Sequence, residues 1–177
     1  KKEYHREALH IFAKNAQVDA HNEEMIEKCC TDIRSFYEVD ANEKQVQNNI
    51  SKQTKTNKKP LRLAKNARVM ITKNISVNDG LANGVTGRII DFLEDNNKQI
   101  SRIIIKFDSN RVGRIHRINC RYCHEEESVC VTRESDTTDQ QESDLRSKKI
   151  MKQFPLRLSW AMAIHKAQGI TVDQVII

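Results

Sequence analysis

The chain has 177 residues, 38% of them hydrophobic and 31% charged, enough for one domain or two small ones with a real core. It has no run of about 18 apolar residues and no apolar targeting stretch, which excludes a membrane-spanning helix. The net charge of +6 is uneven, since His124 to Asp144 holds eight acidic residues and one basic, a local −7 that leaves the rest at +13. An excess of that size favours a polyanion partner through counterion release, with plain solvation of a surface as the alternative.

In chain order, Ala8 to Phe12 predicts a short strand. Val18, Asn22, Met25 and Cys29 then fall on one helical face, with Asn15 as a cap. Strand, turn and helix form the unit of open α/β sheets, which bind ligands at the carboxyl ends of their strands. Asn22, on the apolar face, is expected to be a hydrogen-bonding core residue rather than a ligand contact. "TDIRSFYEVD" predicts an extended segment with Ile33, Phe36 or Tyr37, and Val39 as its apolar positions. Ala41 to Lys59 is polar: a linker, a frayed helix or a surface excursion.

Lys52 to Lys73 carries eight basic residues and no acidic one. Strands are expected around Arg68 to Thr72, Ile89 to Leu93 and Ile103 to Phe107, punctuated by Gly80, Gly84, Gly87 and "DNNK". Asn83-Gly84 suits a hairpin turn. Short strands with tight turns predict a small antiparallel barrel, on whose strands Arg111, Arg114, Arg117 and Arg121 continue the positive charge. Of five cysteines, Cys120, Cys123 and Cys130 crowd into "CRYCHEEESVC" beside His124. A single knuckle falls short of the usual two for zinc, so no metal is assigned: free thiols at a strand end are expected, with zinc as the lesser alternative. From His124 to about Lys149 an acidic, aperiodic, disordered loop is expected, either inert or competing with nucleic acid for the basic face.

Near the end, Pro155 and Gly169 predict the first turn and the terminator of a buried helix running from Leu156 past Ile164, with "ITVDQVII" as an internal strand. His165 and Lys166 would complement the negative pole of that helix, or touch a phosphate or base from a rigid support. No phosphate loop, nucleophile with base, or paired-carboxylate site is present, so the chain alone is not expected to turn over a substrate.

Three ordered segments, "LHIFAKNAQVDAHNEEMI", "LRLAKNARVMITKNISVNDGLANGVTGRIIDF" and "QFPLRLSWAMAIHKAQGITVD", resemble superfamily 1B, RecD-like DNA helicases of the petite-integration-frequency type; the last is similar to their motif V. Helitron transposons encode similar helicases. The resemblance implies an α/β fold: part of the second RecA-like domain, a parallel sheet with helices, interrupted by a small antiparallel β-barrel of the Src-homology-3 kind. The implied limits are 1–59, 60–149 (with the acidic loop at about 124–149) and 150–177. It also implies a parent enzyme that uses ATP and Mg2+ to move 5′ to 3′ on single-stranded DNA and that lies in the nucleus, or alternatively the mitochondrion. The phosphate loop, magnesium-binding motif and first RecA-like domain would precede Lys1, and the motif VI arginine would follow Ile177. His165, Lys166, Lys14, Asn15 and Asn83 would contact DNA, with Gln168 and Gly169 on the nucleotide-coupling side. Ala163 and Lys14 stand where the family has Thr, and Asn66 where it has Gly. The alternative is a stand-alone basic nucleic-acid-binding module with no motor activity.

Overall fold

The computed structural model describes residues 8–40, 59–123, 127–136, 150–167 and 175–176. The chain opens with strand β1 (Leu9–Phe12) and helix α1 (Asn15–Cys29), as the change from period two to period 3.6 predicts. The face buried is Val18, Asn22 and Ile26, spaced by four; Met25 is half-buried and Cys29 exposed. Asn15 is not the cap. Lys14 holds the extended cap geometry, and no side chain caps the first turn.

Two short strands, β2 (Arg34–Phe36) and β3 (Val39–Asp40), follow, with Phe36 rather than Tyr37 turned into the core. The polar segment 41–58 lies outside the described residues. Next come β4 (Leu61–Leu63), β5 (Arg68–Ile71), β6 (Thr86–Glu94) and β7 (Ile100–Phe107). Between β4 and β5 the chain reverses at Asn66, whose φ of 65° lies in the left-handed region. Asparagine tolerates that region better than other non-glycine residues, so it can stand where the resembling family has glycine.

Then follow α2 (Arg114–Asn119), β8 (Ser128–Val131), β9 (Glu134–Asp136), β10 (Met151–Gln153), β11 (Leu156–Leu158), β12 (Ala161–Ala163) and β13 (Val175–Ile176). The strands form four sheets: parallel β12-β1-β13, antiparallel β11-β5-β6-β7-β8, β3-β10-β9, and the pair β2-β4. The fold is α/β with parallel and antiparallel sheets. A closed barrel is not found among the described residues, because β11 and β8 end the five-stranded sheet without pairing to each other. The main core packs Leu63, Val69, Ile71, Ile89, Ile103 and Ile105, all at 0% exposure, with Phe36, Phe92, Phe154 and Trp160. Each such aliphatic side chain contributes about 1.5–3 kcal/mol of burial. No described helix is long and apolar enough to cross a membrane.

Three expectations need correction. The helix predicted from Pro155 is two strands and a turn: β11 pairs antiparallel with β5, the chain bends at Ser159-Trp160, and β12 pairs parallel with β1. An apolar run flanked by buried partners on both sides satisfies either helix or strand, and here two sheets claim its two halves. The acidic stretch is not wholly loop, since "SVCV" inside it is a fully buried strand against β7. Arg114 and Arg117 lie on α2, and Arg111 and Arg121 on the turns flanking it, rather than on strands of the sheet.

Candidate nucleic-acid interface

Parallel pairing fixes which residues meet. Phe12 and Ala163 are register partners at the carboxyl ends of β1 and β12, so the residues after each strand emerge side by side. After β1 come Ala13, Lys14 and Asn15, all exposed; after β12 comes a 3-10 turn, Ile164–Lys166, also exposed. Four of the five predicted DNA-contacting residues, Lys14, Asn15, His165 and Lys166, therefore gather on adjacent strand ends. Gln168 and Gly169 lie outside the described residues. Asn83 is exposed in the other region, in the turn before β6, where its backbone N–H donates to Asn74 Oδ1 at 2.9 Å. That turn closes at Gly84, with φ 96°, a conformation that favours glycine.

The electrostatics of the strand ends run against ordinary helix design. The first turn of α1 has no acidic residue and no side-chain cap, and Lys14 adds a cation to the positive pole of the dipole. Left uncompensated, such a helix start favours an incoming anion.

Asn22 secures the arrangement from below. Its amide donates to the carbonyls of Leu158 (3.2 Å) and Ala161 (3.1 Å), and its oxygen accepts the Ala161 N–H (2.8 Å). It is the core residue expected, and it ties α1 to the bend between β11 and β12. Ala163 is 2% exposed and clusters with Val18, Ala161 and Phe12, so the position where the family has Thr faces α1 rather than solvent.

Sequence reasoning missed a ring cluster beneath α1. The rings of His10 and His21 lie 4.1 Å apart, with Phe12 5.5 Å from His21. Burial holds both imidazoles below their ordinary pKa, and for His21 the neighbouring His10 adds to the effect. The alternation of His10 and Phe12 along β1 was the available signal, but nothing in it named His21 as the partner.

On the antiparallel sheet the basic residues are partly neutralised: Arg68 pairs with Asp108 (2.9 Å), Lys106 with Glu127 (3.1 Å) and Lys65 with Asp91 (2.6 Å). Lys65 is the first cause of a lowered Asp91 pKa. The positive excess read from the sequence is thus less available on this sheet than a count of Lys and Arg suggests.

No protein-family profile matches the chain. Curated relatives do: it is 30% identical to the ATP-dependent DNA helicase PIF1 of Danio rerio over 95% of this chain and 22% of that protein. It is 29% identical to the Emericella nidulans protein of the same name over 96% of this chain and 26% of that protein. Among solved structures it is similar to Bacteroides Pif1 bound to single-stranded DNA, with a TM-score of 0.62 and 26% identity over all of this chain and 35% of that one. An α/β chain matched over nearly its whole length by DNA helicases belongs to a helicase family. Its type is PIF1, and it spans about a quarter of the length of the curated relatives it matches.

Proposed function

We propose that this chain forms the DNA-contacting and coupling part of an ATP-dependent helicase that moves 5′ to 3′ on single-stranded DNA. The observation that carries the reading is the convergence of Lys14, Asn15, His165 and Lys166 on the carboxyl ends of neighbouring parallel strands, beside a helix start with no acidic compensation. Lys14, Lys166 and the free amides of α1 would hold backbone phosphates, while His165 and the 58%-exposed Ile164 would meet a sugar or base. This mode recognises charge and spacing rather than sequence, as a stepping motor requires. The likeness to Bacteroides Pif1 bound to single-stranded DNA supports the same ligand here.

Strands β5 to β8, read as belonging to the Src-homology-3-like insertion of 60–149, would guide the strand past Asn83. Gln168 and Gly169 would pass the nucleotide state to the DNA side. The sequence contains no phosphate loop, and the described positive-φ glycines, Gly80, Gly84 and Gly113, sit in turns around the antiparallel sheet. ATP and Mg2+ are therefore assigned to the rest of a nuclear parent enzyme, and no step is placed on them here. The test is binding of a labelled oligothymidine by this chain across a salt series. Affinity that falls steeply with salt and weakens in the Lys14→Ala and Lys166→Ala variants supports the reading; salt-independent binding, or none, removes it. Joined to the remainder of a parent helicase, the same variants should lose DNA-stimulated ATP hydrolysis, a loss that a stand-alone binding module would not show.

A further inference from the structure

The fold adds a histidine to the three cysteines that the sequence already crowds together. His116 lies on α2, Cys120 and Cys123 on the turn that follows it, and Cys130 on β8. Ligand atoms of His116, Cys120 and Cys123 all lie within 4.8 Å of one another. Cys130 brings a fourth ligand-type group beside one of these, its Sγ 3.2 Å from Cys123 Sγ. A tetrahedral zinc with Zn–S bonds of about 2.3 Å sets its ligand atoms about 3.8 Å apart, so these spacings are those of a metal shell needing small adjustments.

Further observations point to a ligand. His116 Nε2 is buried and has no hydrogen-bond partner, an unusual state for an imidazole nitrogen unless something is to occupy it. The turn is also built to present sulfur: the Cys123 N–H donates to the Cys120 carbonyl (3.3 Å), and the Cys130 N–H donates to Cys123 Sγ (3.2 Å). Asp79, 6% exposed, orients the histidine by accepting the backbone N–H groups of Ile115 (2.9 Å) and His116 (2.8 Å), fixing the start of α2. Three thiolates and a neutral imidazole on Zn2+ leave one negative charge. Arg102 and Arg121, both stacked on the Tyr122 ring at 4.6 and 4.8 Å, bring positive charge to the same turn.

We infer that His116, Cys120, Cys123 and Cys130 form a structural zinc site, with the spacing His-x3-Cys-x2-Cys-x6-Cys, that fastens α2 to the outer strand β8. On binding, the cysteines bond to the metal as thiolates and release their protons to solvent, with no redox change. The site is independent of the strand ends assigned to DNA, so failure of either reading leaves the other standing.

The test is metal content of the full chain, purified in reducing buffer without chelator. About one zinc per chain is expected, falling to a small fraction of that in Cys120→Ser and Cys123→Ser and unchanged in Cys29→Ser, whose thiol is exposed elsewhere. Should a serine variant fail to fold, cobalt exchanged into the wild-type chain reads the ligands directly, giving tetrahedral d–d bands and thiolate-to-cobalt absorption. The His116→Ala variant should shift those d–d bands while keeping the thiolate absorption. A folded, reduced chain that holds neither zinc nor cobalt overturns the site. So does a Cys123–Cys130 disulfide mapped in protein prepared in reducing buffer, or zinc retained in full by both serine variants.

Discussion

The parallel and antiparallel regions use the same residue types to opposite ends. In the antiparallel sheet Lys65, Arg68 and Lys106 are paired with carboxylates, and Val69, Ile71, Ile89, Ile103, Ile105 and Val129 are sealed at 0% exposure. In the parallel sheet, β1 and β12 leave polar residues exposed just beyond their carboxyl ends, with a lysine at the wrong pole of a helix. A local rule obeyed in one region and broken in the other marks the second as the place where stability has given way to binding. Substitutions should therefore separate: sheet changes act on unfolding, strand-end changes on DNA.

The largest effect is expected from Ile105→Ala, which empties a site at 0% exposure in the middle of β7. A loss of about 3 kcal/mol by urea unfolding is the ordinary cost of such a cavity. Oligonucleotide affinity of the remaining folded chain should be unchanged; a binding loss at full folding would erase the distinction between the regions. Next comes Asn22→Ala, at the joint. Three hydrogen bonds disappear and the Leu158 and Ala161 backbone groups are left buried and unpaired, for a cost of about 2 kcal/mol. Because this residue fixes the bend that delivers β12 to β1, it should lower both stability and DNA affinity. A variant that changes only one would show that the bend holds without it.

How far the sequence could be read follows from how local each signal is. The strand and helix at the start, the strands around Val69, Ile89 and Ile105, and the buried role of Asn22 were legible, because periodicity and side-chain chemistry decide them within a few residues. The stretch from Pro155 to Lys166 was not. Its apolar character is required both by β11 against β5 and by β12 against β1, and those partners lie far away in sequence. The strand-end residues were named as DNA contacts only through resemblance, and their convergence is a product of parallel register. The cysteines were picked out in the sequence, but the place of His116 beside them stayed hidden because α2 starts at Gly113, with φ 72°, inside an arginine-rich stretch without a helical stripe. Without that helix the histidine had no reason to be counted with the thiols.

A smaller effect, confined to binding, is expected of Lys166→Ala. An exposed lysine outside the core leaves stability within about 0.5 kcal/mol. Removing one phosphate contact to single-stranded DNA should make the slope of log affinity against log salt shallower by about 0.7. An unchanged slope would leave Lys166 as a partner of the turn it ends and nothing more. Lys106→Ala, in the antiparallel sheet, is the matched control: Glu127 already neutralises its charge, so its slope should move less.

The smallest effect tests the join of β1 to α1 by pH. Burial holds the imidazoles of His10 and His21 below their ordinary pKa of about 6.5, and for His21 the neighbouring His10, 4.1 Å away, adds to the effect. Glu24 favours protonation of His21 and Lys28 opposes it, and Glu24 is itself committed to Lys28, whose hydrogen bond lowers its pKa. The unfolded chain thus takes up protons at a higher pH than the folded one. Stability from this source is complete above about pH 6.5 and is lost as pH falls from there through the depressed folded values. Carboxylates such as Asp91 titrate lower still, so the histidine window stands apart from acid unfolding in general. His21→Phe keeps a ring against His10 and Phe12 and removes one titrating group and its repulsion by His10. Its melting temperature should fall less than that of the wild type between pH 7 and pH 5. An equal fall in both would place the acid sensitivity outside the parallel region and weaken the claim that this region is the less stably built of the two.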